Sequence, residues 1–312
     1  MGHSMIPETW IPSLSLVVIS IATVSTLLSL LLTVLALKVR PAYLLRYQHI
    51  LVAIAVTGVV YSVCEICAVP YWYVADGDFV LFAVGPVRHG RLGQNIVITF
   101  AISFMQSLFL ISYSFAFQYA QVCRSEWFRA YPYLVLISPL INVIILANWL
   151  VAVVYCFTPT ELKMKRASDF LQQLDALFFG FIVNMVLLFV LLLVCIAFFA
   201  HRIILKVSSD LSNRNHYASI YRLLLVQCVA PTTFTVFPCT FNLITGIVGI
   251  DLGEQIPFFL ACLLPMYPAV NACLLIWQVR DYRTFLWNSC LRKKTSTQVL
   301  MMSKRKSIVT SI

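Results

Sequence analysis

Glu65 sits between Cys64 and Cys67 in the run YSVCEICAVP (Tyr61–Pro70), an otherwise apolar stretch. A carboxyl group in such surroundings has three uses. It contacts a ligand, it locks two helices together, or it stays protonated and hydrogen-bonded as a structural group. The Cys64-x-x-Cys67 spacing is that of redox and metal-binding pairs, but no further ligating residues stand nearby, so the two thiols read as small packing groups. The five histidines, His3, His49, His89, His201 and His216, are scattered along the chain. There is neither a glycine-rich phosphate loop nor a carboxylate pair. These patterns give no reason to expect an enzyme, a metal or a cofactor. Every lysine lies in a loop or the tail, which removes the buried amine that a retinal Schiff base requires.

The second unusual chemistry is in the backbone. From Arg222 to Arg283 the chain holds two long apolar segments, each with two internal prolines. Pro231 has no N–H for the Gln227 carbonyl, and Pro238 has none for that of Phe234. Thr232, Thr233 and Thr235 offer hydroxyls to the freed groups. The two prolines are seven residues apart, so their bends fall on nearly one face. Pro265 and Pro268 act alike in the next segment, with Asn271 one turn beyond. Any one proline reads as a fixed kink. Four of them, in neighbouring helices joined by the short loop Ile247–Gln255, read as a hinge that moves.

Both segments belong to a chain of 312 residues that is 61% hydrophobic and 11% charged, where soluble domains carry about 25% charged residues. The net charge of +10 does not imply nucleic acid, because the cations sit in loops and in the tail, where membrane topology explains them. Seven runs are long enough to cross a bilayer. They are Leu14–Leu37, His49–Tyr71, Gln94–Tyr119, Tyr133–Phe157, Leu174–Ala200, Leu223–Gly246 and Ile256–Gln278. The N-terminus lacks a cleavable signal pattern, so the first run is expected to be retained. Of 22 Lys and Arg, 17 lie in the loops after spans 1, 3 and 5 and in the tail. Positive charge stays inside, which places the N-terminus outside and the tail in the cytoplasm. The expected fold is an all-α membrane protein: an extracellular N-terminus (1–13) and a seven-helix transmembrane bundle (14–278). Spans 1–3 do not repeat in spans 5–7, which weakens a transporter built from duplicated halves. Gln106, Asn142, Asn148 and Asn184 are polar points inside spans and read as interhelical glue.

Several spaced features then occur in order: Gln227-x3-Pro231-x6-Pro238, IDLG at Ile250–Gly253, YPAVN at Tyr267–Asn271, and DYR at Asp281–Arg283. With YSVCEICAVP, SFAFQYAQVC (Ser114–Cys123) and VGP at Val84–Pro86, this series closely resembles the Str-type nematode serpentine chemoreceptors and their Srd, Srh and Srj relatives. The resemblance implies a seven-helix receptor coupled to a heterotrimeric G protein. It implies a small odorant-like ligand and a place in the plasma membrane of ciliated sensory neurons. The chain also departs from the family pattern. Gln118-Tyr119 replaces an Arg-Tyr pair at the inner end of span 3, Ala272 replaces a proline, and Val87 stands where some relatives have cysteine. With no cysteine between Cys67 and Cys123, Cys156 lacks the usual partner for an outer disulfide bridge.

A chemosensory receptor of this kind binds its ligand in the outer half of the bundle. Depth and helix phase select Glu65, Phe109, Asn184, Asn242 and Tyr267 as lining residues. Span 6 would move about Gln227, Pro231 and Pro238, with Pro268 and Asn271 as the weak point in span 7. Gln118, Tyr119, Asp281, Tyr282 and Arg283 stand at the inner ends. Residues 279–294 read as a short amphipathic helix on the inner leaflet. Its apolar side would hold Tyr282, Phe285 and Leu286, with Arg283, Arg292 and Lys293 facing lipid phosphates, and Cys290 could carry a palmitate. Residues 295–312 form a cytoplasmic tail, with Ser307 as a phosphosite. Two other classes stay open: a small-solute transporter or ligand-gated channel, and a receptor-like partner that does not signal.

Overall fold

The structure, a computed structural model, describes residues 11–39, 47–75, 78–87, 90–123, 126, 134–157, 176–209, 227–248 and 255–289. Five unbroken helices come first: α1 (Ile11–Lys38), α2 (Gln48–Ala68), α3 (Gly90–Cys123), α4 (Leu134–Phe157) and α5 (Ala176–Ser209). The sixth, α6 (227–248), runs through a π turn at Thr232–Val236 into Phe237–Val248. The seventh, α7, is made of Gln255–Leu263 and Met266–Gln278. A last helix, α8 (280–289), follows it. Helices α1 to α5 and the stretch Phe258–Gln278 of α7 are long and apolar enough to cross a membrane. They stay helical because no backbone group in a bilayer can look to water for a partner.

Helix α3 is the centre of the packing. It touches α2, α4 and α5, while α1 lies against α2 and α7. Helices α1, α4 and α5 turn large apolar side chains outward, among them Leu16, Leu27, Val143 and Leu187, as lipid-facing helices do. Gly58 allows close approach at the α1–α2–α7 junction, where a Cβ would stand 3.1 Å from Ser29 Oγ and 3.6 Å from Pro268 Cβ.

The second span ends earlier than its hydropathy suggests. Helix α2 stops at Ala68, with Val69 in the left-handed region at φ 44°. Pro70 and Tyr71, expected in the span, begin a hairpin instead: β1 (Pro70–Ala75) pairs antiparallel with β2 (Asp78–Ala83). A β-branched residue with positive φ is strained. The strain is held by the returning chain. The amides of Val84, Gly85 and Val87 donate to the carbonyls of Val69, Ala68 and Cys67 at 3.3, 2.8 and 2.9 Å, which satisfies the end of a helix that would otherwise leave carbonyls unpaired.

Gly85 is required at that seam. A Cβ there would lie 2.7 Å from the Ala68 carbonyl carbon and 2.9 Å from Val69 Cγ2. Gly85→Ala is expected to cost about 1–3 kcal/mol by overpacking, read as a lower thermal midpoint of the purified protein. An unchanged melt would mean that the hairpin slides without cost.

Candidate functional site

Near the hairpin, Glu65 and Tyr61 of α2 meet Ser107 of α3, Cys239 of α6, and Cys262 and Tyr267 of α7. Glu65 is 2% exposed, and its Oε1 has no hydrogen-bond partner among the described residues. Its carboxyl lies within electrostatic range of Tyr61 on α2, Cys239 on α6 and Cys262 on α7. Tyr61 packs its ring on Phe100 at 4.8 Å and on Tyr267 at 5.9 Å between centroids. The Tyr61 hydroxyl donates to the Leu264 carbonyl at 3.4 Å, and the Tyr267 hydroxyl lies within hydrogen-bonding reach of Ser107. The Leu264 carbonyl is the one freed by Pro268, four residues on, which has no N–H to return. Ser25 of α1 donates to the next carbonyl, Pro265. The break in α7 is therefore clasped by α1 and α2.

Helix α6 connects this cluster to the opposite end of the bundle. Pro231 and Pro238 are both buried, in keeping with a shared face. Between them the helix widens: the Phe237 amide reaches back five residues to Thr232. The threonines do bond carbonyls, but others than those the prolines free. Thr232 takes that of Cys228 at 2.7 Å, and Thr235 takes that of Pro231. Each is the ordinary bond of a helical threonine to the carbonyl four residues back, as in Thr23 and Thr26 of α1, so it falls where the threonine stands rather than where a proline frees a carbonyl.

At its first turn α6 is tied to α2. The Tyr47 hydroxyl donates to Gln227 Oε1 at 2.8 Å, and Ser114 of α3 is also within hydrogen-bonding reach of it. Tyr47 and Gln227 are each 1% exposed. The Tyr47 ring packs on Phe117, 6.2 Å between centroids, inside a cluster that also holds Leu35, Ile50, Leu275 and Tyr282. Helices α1 to α7, with a Glu65 cluster at one end, a tied α6 at the other and a π turn between them, form a receptor-like frame. A family model described as serpentine type 7TM GPCR chemoreceptor Str matches residues 15–177 and 170–287. The chain belongs to the Str family of chemoreceptors. No curated protein matches it. Membership makes it a multi-pass membrane protein of a receptor class, and that class is not enzymatic.

In this Str receptor the five expected lining residues do not converge. Glu65 and Tyr267 share the cluster just described. Asn242 is half-buried on α6, three residues beyond Cys239. Phe109 is buried deeper in α3, stacked on Tyr113 at 6.2 Å. Asn184 gives its amide to Asn148 of α4 at 2.8 Å, so it joins helices α4 and α5. That pair bears out the glue role, whereas Gln106 and Asn142 keep buried oxygens without partners among the described residues.

The residues expected at the switch and at the inner ends lie on α3, α7 and α8. Gln118 is 1% exposed and one turn from Ser114, while Tyr119 packs on Phe199 of α5 at 5.3 Å. Pro268 and Asn271 are buried, and Asn271 Oδ1 has no partner among the described residues. In α8, Tyr282 is fully buried and Leu286 packs against the same cluster, but Phe285 and Trp287 are exposed. Phe285 leaves the Tyr282 face because three residues fall short of a full turn. Asp281 is half-buried and Arg283 exposed. Cys290, Arg292, Lys293, Ser307 and the IDLG of Ile250–Gly253 lie outside the described residues. Tyr47, which ties α6 to α2, carries no mark in the sequence beyond being aromatic beside a span.

Proposed function

We propose that this Str receptor senses a small odorant-like molecule in the hairpin half of the bundle and signals to a heterotrimeric G protein by moving α6. The hairpin end faces outward and the α8 end faces the cytoplasm, a direction supported by the 17 of 22 cations on that side. The plasma membrane of ciliated sensory neurons is the setting that the family suggests. One observation carries the mechanism: α6 is tied to α2 at Gln227, borders the Glu65 cluster at Cys239, and is widened by a π turn between the two. A π turn between two prolines has few strong backbone bonds and is the soft point of the rod. A ligand that binds one arrangement better than the other shifts the population by that difference in affinity.

Pro231→Ala restores the N–H that bonds the Gln227 carbonyl and removes the ring, stiffening α6. In cells expressing a promiscuous G protein, a panel of volatile and soluble chemicals identifies an agonist. At equal surface expression Pro231→Ala is expected to lose most of that response. A full response from the variant would remove the hinge role and leave the receptor reading in place. Gln118, without the family arginine, favours one other reading, a receptor-like partner that does not signal. An agonist response by the unaltered chain excludes it.

A further inference from the structure

We infer that Glu65, with the aromatic rings of Tyr61 and Tyr267, is a recognition site for a small protonated amine. This deepens the receptor reading above and rests on it. The first ground is the state of the carboxyl. It is almost wholly buried in the hairpin half of the bundle, and Oε1 has no partner among the described residues. Buried carboxylates are ordinarily paired, because an unpaired charge in such a medium is costly.

The second ground is that no counter-charge stands beside it among the described residues. No Lys, Arg or His occurs in 50–75, 227–248 or 255–279, the segments that surround it. Arg91, in the first turn of α3, is exposed. Nor does the Tyr61 hydroxyl turn to it, since it donates to Leu264, while that of Tyr267 lies within reach of Ser107. A ligand that carries its own donor supplies what the described residues do not.

The third ground is the wall. Tyr61, Phe100 and Tyr267 pack edge and face together within 6 Å of one another in successive pairs, and aromatic rings attract alkylammonium ions. Cys239, Cys262 and Leu264 supply a surface for a short alkyl chain. An ammonium head on Glu65 and an alkyl tail among these side chains satisfy both features. The site borders α6 above its π turn and α7 at its break, so an occupant would bear on both moving parts.

The test uses the full chain purified into nanodiscs at neutral pH, with n-pentylamine, 2-pentanone and 1-pentanol as probes of equal length. The amine is expected to raise the thermal midpoint of the unaltered protein, and Glu65→Gln is expected to weaken its apparent Kd about 10- to 100-fold. Glu65→Asp keeps the charge and is expected to fall between the two. Equal amine shifts in the unaltered protein and Glu65→Gln would overturn the site, as would no amine shift at all. A shift by the ketone or alcohol but not the amine would overturn the ligand class. Because no G protein is present, a negative result leaves the receptor reading standing, and that reading fails only in the cell response.

Discussion

Tyr47→Phe is expected to raise ligand-independent signalling about tenfold at matched surface expression. The hydroxyl is the donor in the bond that holds the first turn of α6 to α2. Its loss leaves Gln227 Oε1 buried without a donor, which costs about 1–3 kcal/mol. On the proposed mechanism that penalty applies only while α6 is docked, because a displaced α6 would expose the amide to water or to the G protein. Each 1.4 kcal/mol changes the ratio of docked to undocked forms about tenfold. Phenylalanine keeps the ring contact with Phe117, so packing of the cluster should survive. Gln227→Leu removes the acceptor and is expected to act in the same direction, with the double variant no stronger than the more active single one. The measurement is basal reporter output in the absence of any added chemical. Basal output equal to that of the unaltered receptor would show that the bond does not restrain α6.

Trp149→Ala is expected to have the largest effect on stability, a loss of about 3 kcal/mol. Trp149 is 5% exposed in the middle of α4, a helix that otherwise turns mostly to lipid. Its Nε1 donates to the Ala101 carbonyl of α3 at 2.9 Å. Its ring packs on Phe104 of α3 at 6.2 Å and Phe189 of α5 at 5.7 Å. One side chain thus joins three helices. In a bilayer its removal does not forfeit transfer from water, because the exposed alternative is lipid; it forfeits contact and leaves a cavity. Trp149→Phe keeps most of the volume and loses only the hydrogen bond, so a smaller loss of about 1 kcal/mol is expected. Thermal unfolding of the purified receptor separates the two. Equal midpoints for all three proteins would mean that α4 is held elsewhere.

Glu65, the proline pattern and the aromatic position Tyr267 were all legible in the chain, since an acid in a membrane span is rare and a proline there leaves a backbone carbonyl without its usual partner. The hairpin was legible too, through a signal easily passed over: Asp76-Gly77 separates two short β-prone runs, the dipeptide that two-residue hairpins prefer. Hydropathy hid it, because Pro70 and Tyr71 extend the apolar run of α2. Asn184 illustrates the opposite failure. Its depth and phase suit a pocket, yet its amide is bonded to Asn148. An asparagine at a given depth looks the same whether it faces a ligand or a neighbouring helix.

The division between the two sources follows from the solvent. A segment that crosses a bilayer must bond its own backbone and carry enough apolar residues to match the core, and both demands are local. Seven spans, their approximate limits and the family pattern from Gln227 to Arg283 could therefore be read along the chain. Which face of each span meets protein could not. Lipid tails are as apolar as leucine, so hydrophobicity does not separate inside from outside. Tyr47 against Gln227, Trp149 across three helices and the unpartnered oxygen of Glu65 exist only once the helices are packed.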